Sequence, residues 1–422
     1  MASNTGSVPT MSGLIQAGVD TTHTEIKTDS NLAGLDASKL HITRSTTLRK
    51  VPEVNSDEVW NFKHCTDHMM TVTWTADHGW HEPEIKPYGP FQMMPTASVL
   101  HYATSCFEGM KVYRGYDEKL RVFRPDLNCA RLLTSSARLA LPEFDPPELE
   151  KLLKTFLGLD GPRWLPKSRP GNFLYVRPTV IGSGEELGVS TPAEVMLYII
   201  AAPWPEFSGS KDGQPPKPPG LKLLASKDDV RAWPGGFGHT KVSANYGPSF
   251  LSHMEGRKRG YDQILWLLGS DFKVTEAGAS NFFVVWKTKE GKTELVTAPL
   301  TDKIILAGVT RRSVLELART RLVAGSEELT ADVGPLEVVE RAFTMLEIEE
   351  ANKDGRLIEA FVSGTAFFIT PVKSINFRDN EVEIPMGKGD SGHYAAAFKS
   401  WLGDIMYGNV QHEWGVVIEE KE

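Results

Sequence analysis

Residues 203–220 read PWPEFSGSKDGQPPKPPG, a run in which proline, glycine and polar residues crowd too closely for a helical or strand period to survive. The run is therefore an interdomain connector. A chain of 422 residues exceeds the roughly 250–300 at which a single hydrophobic core stops growing, so a break near its middle is what size requires. The connector divides the chain into a smaller unit at 51–202 and a larger one at 221–422. A polar extension rich in Ser and Thr, at 1–50, is mobile or laid over the folded body.

Upstream of the connector, HMMTVTW (68–74) alternates like a strand, and KVYRG (111–115) and KLRVFRP (119–125) read as two more strands joined by a turn at Gly115 to Glu118. Asp126 then offers an N-cap to LNCARLLTSSARLAL, where Leu127, Arg131, Leu132, Ser135 and Leu139 fall on helical spacing. A second helix is expected around Leu149 to Leu159. NFLYVRPTVIG (172–182) and EVMLYIIAAP (194–203) have the apolar, β-branched character of buried strands, and Tyr175 and Arg177, two apart, project from one sheet face. Downstream come a Gly-rich loop at 234–238, a helix through Phe250 and Met254, and a strand at QILWLL. A strand pair around Thr275 and FFVVW, a helix from near Thr310, and alternating strands and helices follow. No internal repeat is visible. The fold class is α/β (α+β) in two domains.

Composition narrows the function. A net charge of -8 excludes nucleic acid as the main partner, because phosphate neutralisation calls for a basic excess. No apolar run reaches the roughly 18–20 residues of a bilayer span. The cysteines Cys65, Cys106 and Cys129 form no CxxC or Cys/His ligand spacing, so reduced thiols and no metal site are expected. The first thirty residues lack an apolar signal core, and Asp20, Glu25 and Asp29 are foreign to an Arg-rich transit peptide, so the expected address is cytoplasmic, with mitochondria as the alternative.

Chemistry concentrates in a few places. RAWPGGFGHTKVSANYG (231–247) sets Lys241 alone among small residues, where backbone can approach a ligand closely. A lysine that forms a Schiff base works as the free amine, which partial burial beside a cationic ring favours. Glu276 sits where one strand ends in small residues and another begins, a rigid place from which to hold a protonated pyridine nitrogen. In ILAGVTRRSVLELA, Gly308 precedes a helix whose first amides, at Val309 and Thr310, suit an anion. Arg131 occupies a helix among apolar positions and calls for a partner. Val362 to Ala366 is a second small-residue turn able to form an amide nest. Taken singly, these are more simply a surface lysine, a loop acid and an ordinary helix start; together they are what a phosphorylated cationic cofactor needs.

TDHMMTVTW, LHYATSCFEGMKVYRG, RVFRPDLNCARL, LYVRPTVIG, VRAWPGG, KVSANYG, QILWL, VTEAGASNFFVVW, LAGVTRRSVLELA and SGTA follow in order between Thr66 and Val417. They resemble the eukaryotic-type branched-chain amino acid aminotransferases, fold-type IV enzymes that use pyridoxal 5′-phosphate. The resemblance implies Lys241 as Schiff-base lysine and proton carrier, Tyr246 on the cofactor phenolate oxygen and Glu276 on the pyridine nitrogen. It implies Arg131, the amides of Val309 and Thr310, and Thr365 as phosphate holders. Phe62, Tyr102, Phe107 and Tyr175 would wall the side-chain pocket, the Thr365 and Ala366 amides would receive the substrate carboxylate, Arg177 the far carboxylate of glutamate, and Phe207 would close over substrate. A homodimer sharing pocket residues is implied as well. The sequence departs from the family at Phe367 and Thr370, where some mammalian relatives carry a thiol pair, at Ala279 in place of a threonine, and at Val242 to Ala244. These departures bear on substrate preference. Within the same cofactor class, a D-amino acid transaminase or an aminodeoxychorismate lyase is the other enzyme reading. A binding protein on a retired enzyme scaffold is the reading outside enzymology.

Overall fold

The computed structural model describes residues 32–206, 219–387 and 389–421. Two sheets carry it, one on each side of the connector. The first holds β1 (His41–Ile42), β2 (His68–Thr75), β3 (Gly79–Trp80), β4 (Glu84–Pro87), β5 (Ser105–Phe107), β6 (Met110–Arg114), β7 (Leu120–Phe123), β8 (Phe173–Gly182) and β9 (Glu194–Pro203). The second holds β10 (Leu221–Ala225), β11 (Gln263–Leu268), β12 (Lys273–Ala277), β13 (Ser280–Lys287), β14 (Thr293–Thr297), β15 (Glu337–Glu340), β16 (Leu357–Gly364), β17 (Phe368–Phe377) and β18 (Asn380–Glu383). The last strand, β19 (Gly415–Ile418), returns to the first sheet and pairs antiparallel with β7. The helices are α1 (Asp57–Trp60), α2 (Ser98–Tyr102), α3 (Pro125–Arg138), α4 (Pro146–Trp164), α5 (Phe250–Lys258), α6 (Val309–Arg321), α7 (Met345–Lys353) and α8 (His393–Met406).

The first sheet runs β1-β4-β2-β9-β8-β6-β7-β19, and the long β8–β9 hairpin at its centre ends in the connector. Its apolar face packs on α3 and α4, where Leu132, Leu152, Leu153 and Phe156 are fully buried. α3 begins two residues earlier than the Asp126 cap expected from sequence. Pro125 takes the first helical position, where a missing N–H costs nothing, and Arg124 is the cap residue, in a left-handed conformation with φ 47°. α4 outruns its expected span at both ends. Gly158 and Gly161 let it lie against the end of the chain and β7: a Cβ at Gly158 would meet the Glu419 carbonyl at 2.4 Å, and one at Gly161 would meet Leu120 at 2.5 Å.

The second sheet runs β12-β11-β10-β17-β16-β13-β14-β15, and β12 pairs also with β13. That extra pairing closes six strands into a barrel, with Glu276 opposite Asn281 at the seam. Outside it, α6 and α8 cover β13 and β16, where Phe283 and Phe361 stack with ring centroids 4.9 Å apart.

The chain does not divide quite where 203–220 suggests. β19 belongs to the first sheet although it lies in the 221–422 unit, and its pairing with β7 ties the two units together. Nor is all of 1–50 external: Leu35 is buried in the first core, and β1 pairs in parallel with β4. This strap is pinned where the Ser45 amide donates to Nε2 of buried His68, whose Nδ1 meets Asp160 at 2.5 Å.

Glu359 on β16 caps α8, accepting from the amides of Tyr394 at 3.0 Å and Ala395 at 2.7 Å. Burial pushes its carboxyl up to about 7 from the ordinary 4.5. The folded state thus holds this proton more tightly than the unfolded chain, and stability falls as pH rises from 4.5 to about 7. The difference is on the order of 3 kcal/mol, at 1.36 kcal/mol per pH unit. Urea denaturation across that range is expected to show this slope in the wild type and not in Glu359→Gln; equal slopes would refute it.

Candidate active site

Lys241 follows the connector in sequence, yet residues before the connector hold its backbone. Its amide donates to Ser135 Oγ of α3 at 2.9 Å, its carbonyl accepts from the Phe107 amide of β5 at 3.1 Å, and Val242 forms an antiparallel bridge to Cys106. Asn245 closes the loop, donating from Nδ2 to the carbonyls of Phe237 at 2.9 Å and Thr240 at 3.0 Å. Gly238 is required for packing: a Cβ there would meet the Ile304 carbonyl at 2.0 Å. With its main chain fixed on three sides, Lys241 presents Nζ to the Tyr246 hydroxyl at 3.0 Å and lies 5.0 Å over the Phe107 ring.

Glu276, at the end of β12 and 2% exposed, faces the same space from the barrel seam. Oε1 accepts from Asn281 Nδ2 at 3.1 Å and from the Leu306 amide at 3.3 Å. Oε2 lies 2.7 Å from Arg231 Nη1 as an ion pair, without an aligned hydrogen bond. Burial raises the Glu276 pKa, with Arg231, the Leu306 amide, Lys241 and Arg131 opposing it. A buried carboxylate oxygen that keeps an acceptor position is suited to a further cationic donor.

At the other end stands the N-terminus of α6. Gly308 is its cap residue and supplies no side-chain cap, which leaves the first helical amides free for an anion. Val309 and Thr310 there are buried. A Cβ at Gly308 would meet Asn281 Oδ1 at 2.1 Å, so glycine permits the approach that joins this end to Glu276. Arg131 reaches across from α3. Nε and Nη2 bind the two oxygens of Glu108 at 2.7 and 2.8 Å, and Nη1 donates to the Ala307 carbonyl at 2.8 Å. Burial opposes the Glu108 charge, but Arg131, Lys241 and Asn128 hold its pKa below the usual value. Thr365 follows β16 and donates from Oγ1 to the Gly109 carbonyl at 3.1 Å.

Aromatic rings form the wall. Phe107 and Tyr246 lie 4.9 Å apart, Tyr175 and Trp204 stack at 4.5 Å, and Trp204 meets Phe62 at 4.8 Å. Arg177 lies 4.6 Å over Phe107 and donates to the Tyr175 hydroxyl at 3.2 Å, while its buried Nε has no hydrogen-bond partner. One expected wall residue is not brought in. Tyr102 on α2 is 42% exposed and donates to the Leu187 carbonyl at 2.7 Å. Phe207, expected to close over substrate, lies outside the described residues. Ala366 is in the turn beside Thr365.

Sequence reasoning passed over Glu108, Arg231, Asn281 and Trp204. The signal available for Glu108 was a charge set between Phe107 and Gly109 in an otherwise apolar stretch; Arg231 and Trp204 lay inside stretches read for other features. Among the described residues no group of three or more His, Cys, Asp or Glu is arranged to hold a metal, and no helix is long and apolar enough to cross a membrane.

A lysine amine, a buried carboxylate beyond it and a helix N-terminus with an arginine define a site for a phosphorylated aromatic cation. The chain belongs to the amino-transferase class IV family, whose profile matches residues 105–375. It is 43% identical over 92% of its length to the cytosolic branched-chain-amino-acid aminotransferase of Saccharomyces cerevisiae, covering 99% of that protein. It is 42% identical over 90% of its length to the mitochondrial enzyme of that name from Schizosaccharomyces pombe, covering 85% of it. Relatives thus occupy both compartments. Among solved structures, the T.th. branched-chain amino acid aminotransferase with pyridoxamine 5′-phosphate superposes with a TM-score of 0.59 at 25% identity, covering 82% of this chain and 98% of that one.

Gly109 permits the wall to form, because a Cβ there would meet the Tyr175 hydroxyl at 1.9 Å. Gly109→Ala is expected to displace Tyr175 and lower kcat/KM for amino transfer by about a hundredfold, the cost of an ångström-scale misplacement. Steady-state kinetics check this, and an unaltered kcat/KM would remove Tyr175 from the pocket.

Proposed function

We propose that this chain transfers the amino group of leucine, isoleucine or valine reversibly to 2-oxoglutarate, with pyridoxal 5′-phosphate held between Glu276 and the N-terminus of α6. The observation that carries the reading is the alignment of Lys241 Nζ and the Tyr246 hydroxyl between a buried carboxylate with a spare acceptor and an uncapped, arginine-flanked helix start. The names of the close relatives agree with it.

The cofactor, when bound, supplies the electron sink that makes the α-carbon proton of an amino acid acidic enough to leave. Glu276 would hold its pyridine nitrogen protonated, Tyr246 its phenolate oxygen, and the amides of Val309 and Thr310, Arg131 and Thr365 its phosphate. Lys241 would hold it through its side-chain amine and, with that amine free, would carry the proton taken from the substrate α-carbon across to the far side of the imine nitrogen. The Tyr246 hydroxyl, 3.0 Å from Nζ, orients the amine for both duties. The Thr365 and Ala366 amides receive the substrate carboxylate. Phe107, Tyr175 and Phe62 pack on an aliphatic side chain, and Arg177 takes the far carboxylate of 2-oxoglutarate in the second half-reaction, which reverses the first.

The reading extends to a cytoplasmic homodimer. Three free, buried thiols suit a reducing compartment. Leu187, whose carbonyl accepts from Tyr102, and Val189 are 55% and 89% exposed, apolar surface that a second copy would cover, bringing Tyr102 to the partner's pocket. Sedimentation is expected to give twice the chain mass, and a monomer would sink this part.

Lys241→Ala is expected to abolish both turnover and the visible absorbance of the cofactor-loaded protein; survival of either overturns the assignment. Arg177→Met is expected to raise the KM for 2-oxoglutarate about 10- to 100-fold, the worth of a charge-assisted hydrogen bond, and leave that for leucine nearly unchanged. Assay of L-leucine against D-alanine separates this reading from a D-amino acid transaminase.

A further inference from the structure

Lys111 is a buried cation that the reaction as described does not use. It lies on β6 with 7% exposure, its ammonium 4.0 Å from the centroid of the Phe173 ring and donating to the Ala366 carbonyl at 3.4 Å. Among the described residues no carboxylate stands within ion-pair distance of it. Burial pushes its pKa down to about 8, with Glu206 opposing through space. An ammonium taken from water and left without a counter-ion is costly to fold, so an anion brought beside it is strongly favoured.

Its surroundings say which anion. Gly109, two residues earlier on the same chain segment, accepts from Thr365 Oγ1, so the start of β6 grips the 365–366 turn at both residues. A cavity of about 20 Å³ beside them is lined by Lys111, Asn128, Thr310 and Thr365 together with apolar and aromatic side chains such as Phe123 and Met406. Lys111 therefore faces the turn and the N-terminus of α6 together. The charged and titratable groups on the packed elements are Glu206 in the connector, Tyr175 opposite it on β8 with Arg177 beyond, and Tyr113 on its own strand. The turn offers only amides, carbonyls and the Thr365 hydroxyl.

We propose that Lys111 is a positioning residue for the substrate carboxylate: by holding the Ala366 carbonyl it fixes the peptide planes of the Thr365–Ala366 turn and adds positive potential beside the amides that receive the anion. This rests on the reading of that turn as the carboxylate-receiving site. A neutral side chain of similar length would leave the turn in place and lose its orientation and field, so binding of acids would suffer before folding does.

The probe is 4-methylvaleric acid, which carries the leucine skeleton and a carboxylate but no amine, titrated calorimetrically into cofactor-loaded protein. Lys111→Met is expected to raise its Kd about tenfold and Lys111→Arg to restore it to within about threefold, with cofactor absorbance unchanged and, in Lys111→Met, a melting temperature no lower than that of the wild type. In the wild type the affinity should fall as pH rises through about 8, where the ammonium is lost; in both variants that fall should be absent, since Met carries no charge and Arg keeps its own. Wild-type affinity in Lys111→Met, or the same alkaline fall in Lys111→Arg as in the wild type, overturns the proposal. Ala366→Pro, which removes one receiving amide, separates the two claims. If it weakens binding and Lys111→Met does not, the turn receives the carboxylate and Lys111 has no part. If neither weakens binding, the turn reading fails, and the proposal with it. Should Lys111→Met not fold, the pH titration of wild type against Lys111→Arg decides alone.

Discussion

The buried Glu108–Arg131 pair is the contact on which the site depends. Glu108 sits between β5 and β6, Arg131 extends from α3, and the remaining Arg131 nitrogen reaches the Ala307 carbonyl just before α6. One guanidinium therefore joins the sheet before the connector to the helix after it. Such a pair returns little net stability, because desolvating both charges cancels most of their attraction. Its worth lies in orientation. Removing either member would strand a buried charge, at roughly 3–5 kcal/mol, and would release the edge of the α6 N-terminus. Glu108 satisfies two nitrogens of Arg131 and so fixes which part of the cation remains directed at the anion end.

The same cross-connector logic governs Lys241. A catalytic lysine on a glycine-rich loop would explore many positions if the loop held itself. Here Ser135, Phe107 and Cys106 hold its backbone, all on the first sheet or on α3. The loop keeps its small residues for close approach, as at Gly238 against Ile304, and borrows rigidity from α3 and the first sheet. Glu276 is fixed by different means, at a barrel seam where β12 and β13 are joined by a tight turn. Amine and carboxylate are thus anchored to different sheets, and the β7–β19 pairing ties the chain after the connector back to the first of them.

Much of this was legible in the chain. The β8 and β9 strands, α3 and the small-residue loop at Lys241 announce themselves through local pattern, and the structure differs only at their ends, as where Pro125 moves the α3 start ahead of Asp126; most of the expected connector, 207–218, lies outside the described residues. Barrel closure left no trace, because the β10–β17 and β13–β16 pairings depend on partners about 75 to 150 residues away that no local period encodes. β19 was misplaced for the same reason: a four-residue strand takes its identity from β7. At the site, glycines and the lone lysine were readable because their chemistry is unusual for their surroundings. Glu108 and Arg231 were not, since one buried acid or base looks like any surface charge until its partner is found. The roles of single residues came from family resemblance, and Tyr102 shows its limit: one chain alone leaves that ring outside the wall.

Accepting both an isobutyl group and a propionate in one pocket poses a physical conflict, since a cation that attracts the second repels the first by holding water. In the proposed amino transfer, Arg177 would resolve it through the shape of its charge. The guanidinium lies over the faces of Phe107 and Tyr175, 4.6 and 5.1 Å from their centroids, where ring quadrupoles offset part of the lost hydration. Its hydrogen-bond donors stay in its own plane, one resting on the Tyr175 hydroxyl and the buried Nε on none. With an aliphatic substrate the stacked cation presents little that must be solvated. With a dicarboxylate, donors already stripped of water are waiting, so the cost of exposing them has been met during folding. Trp204, stacked on Tyr175 with centroids 4.5 Å apart, keeps that ring from turning. The double specificity proposed for this pocket would then be a property of stacked rings and one flat cation.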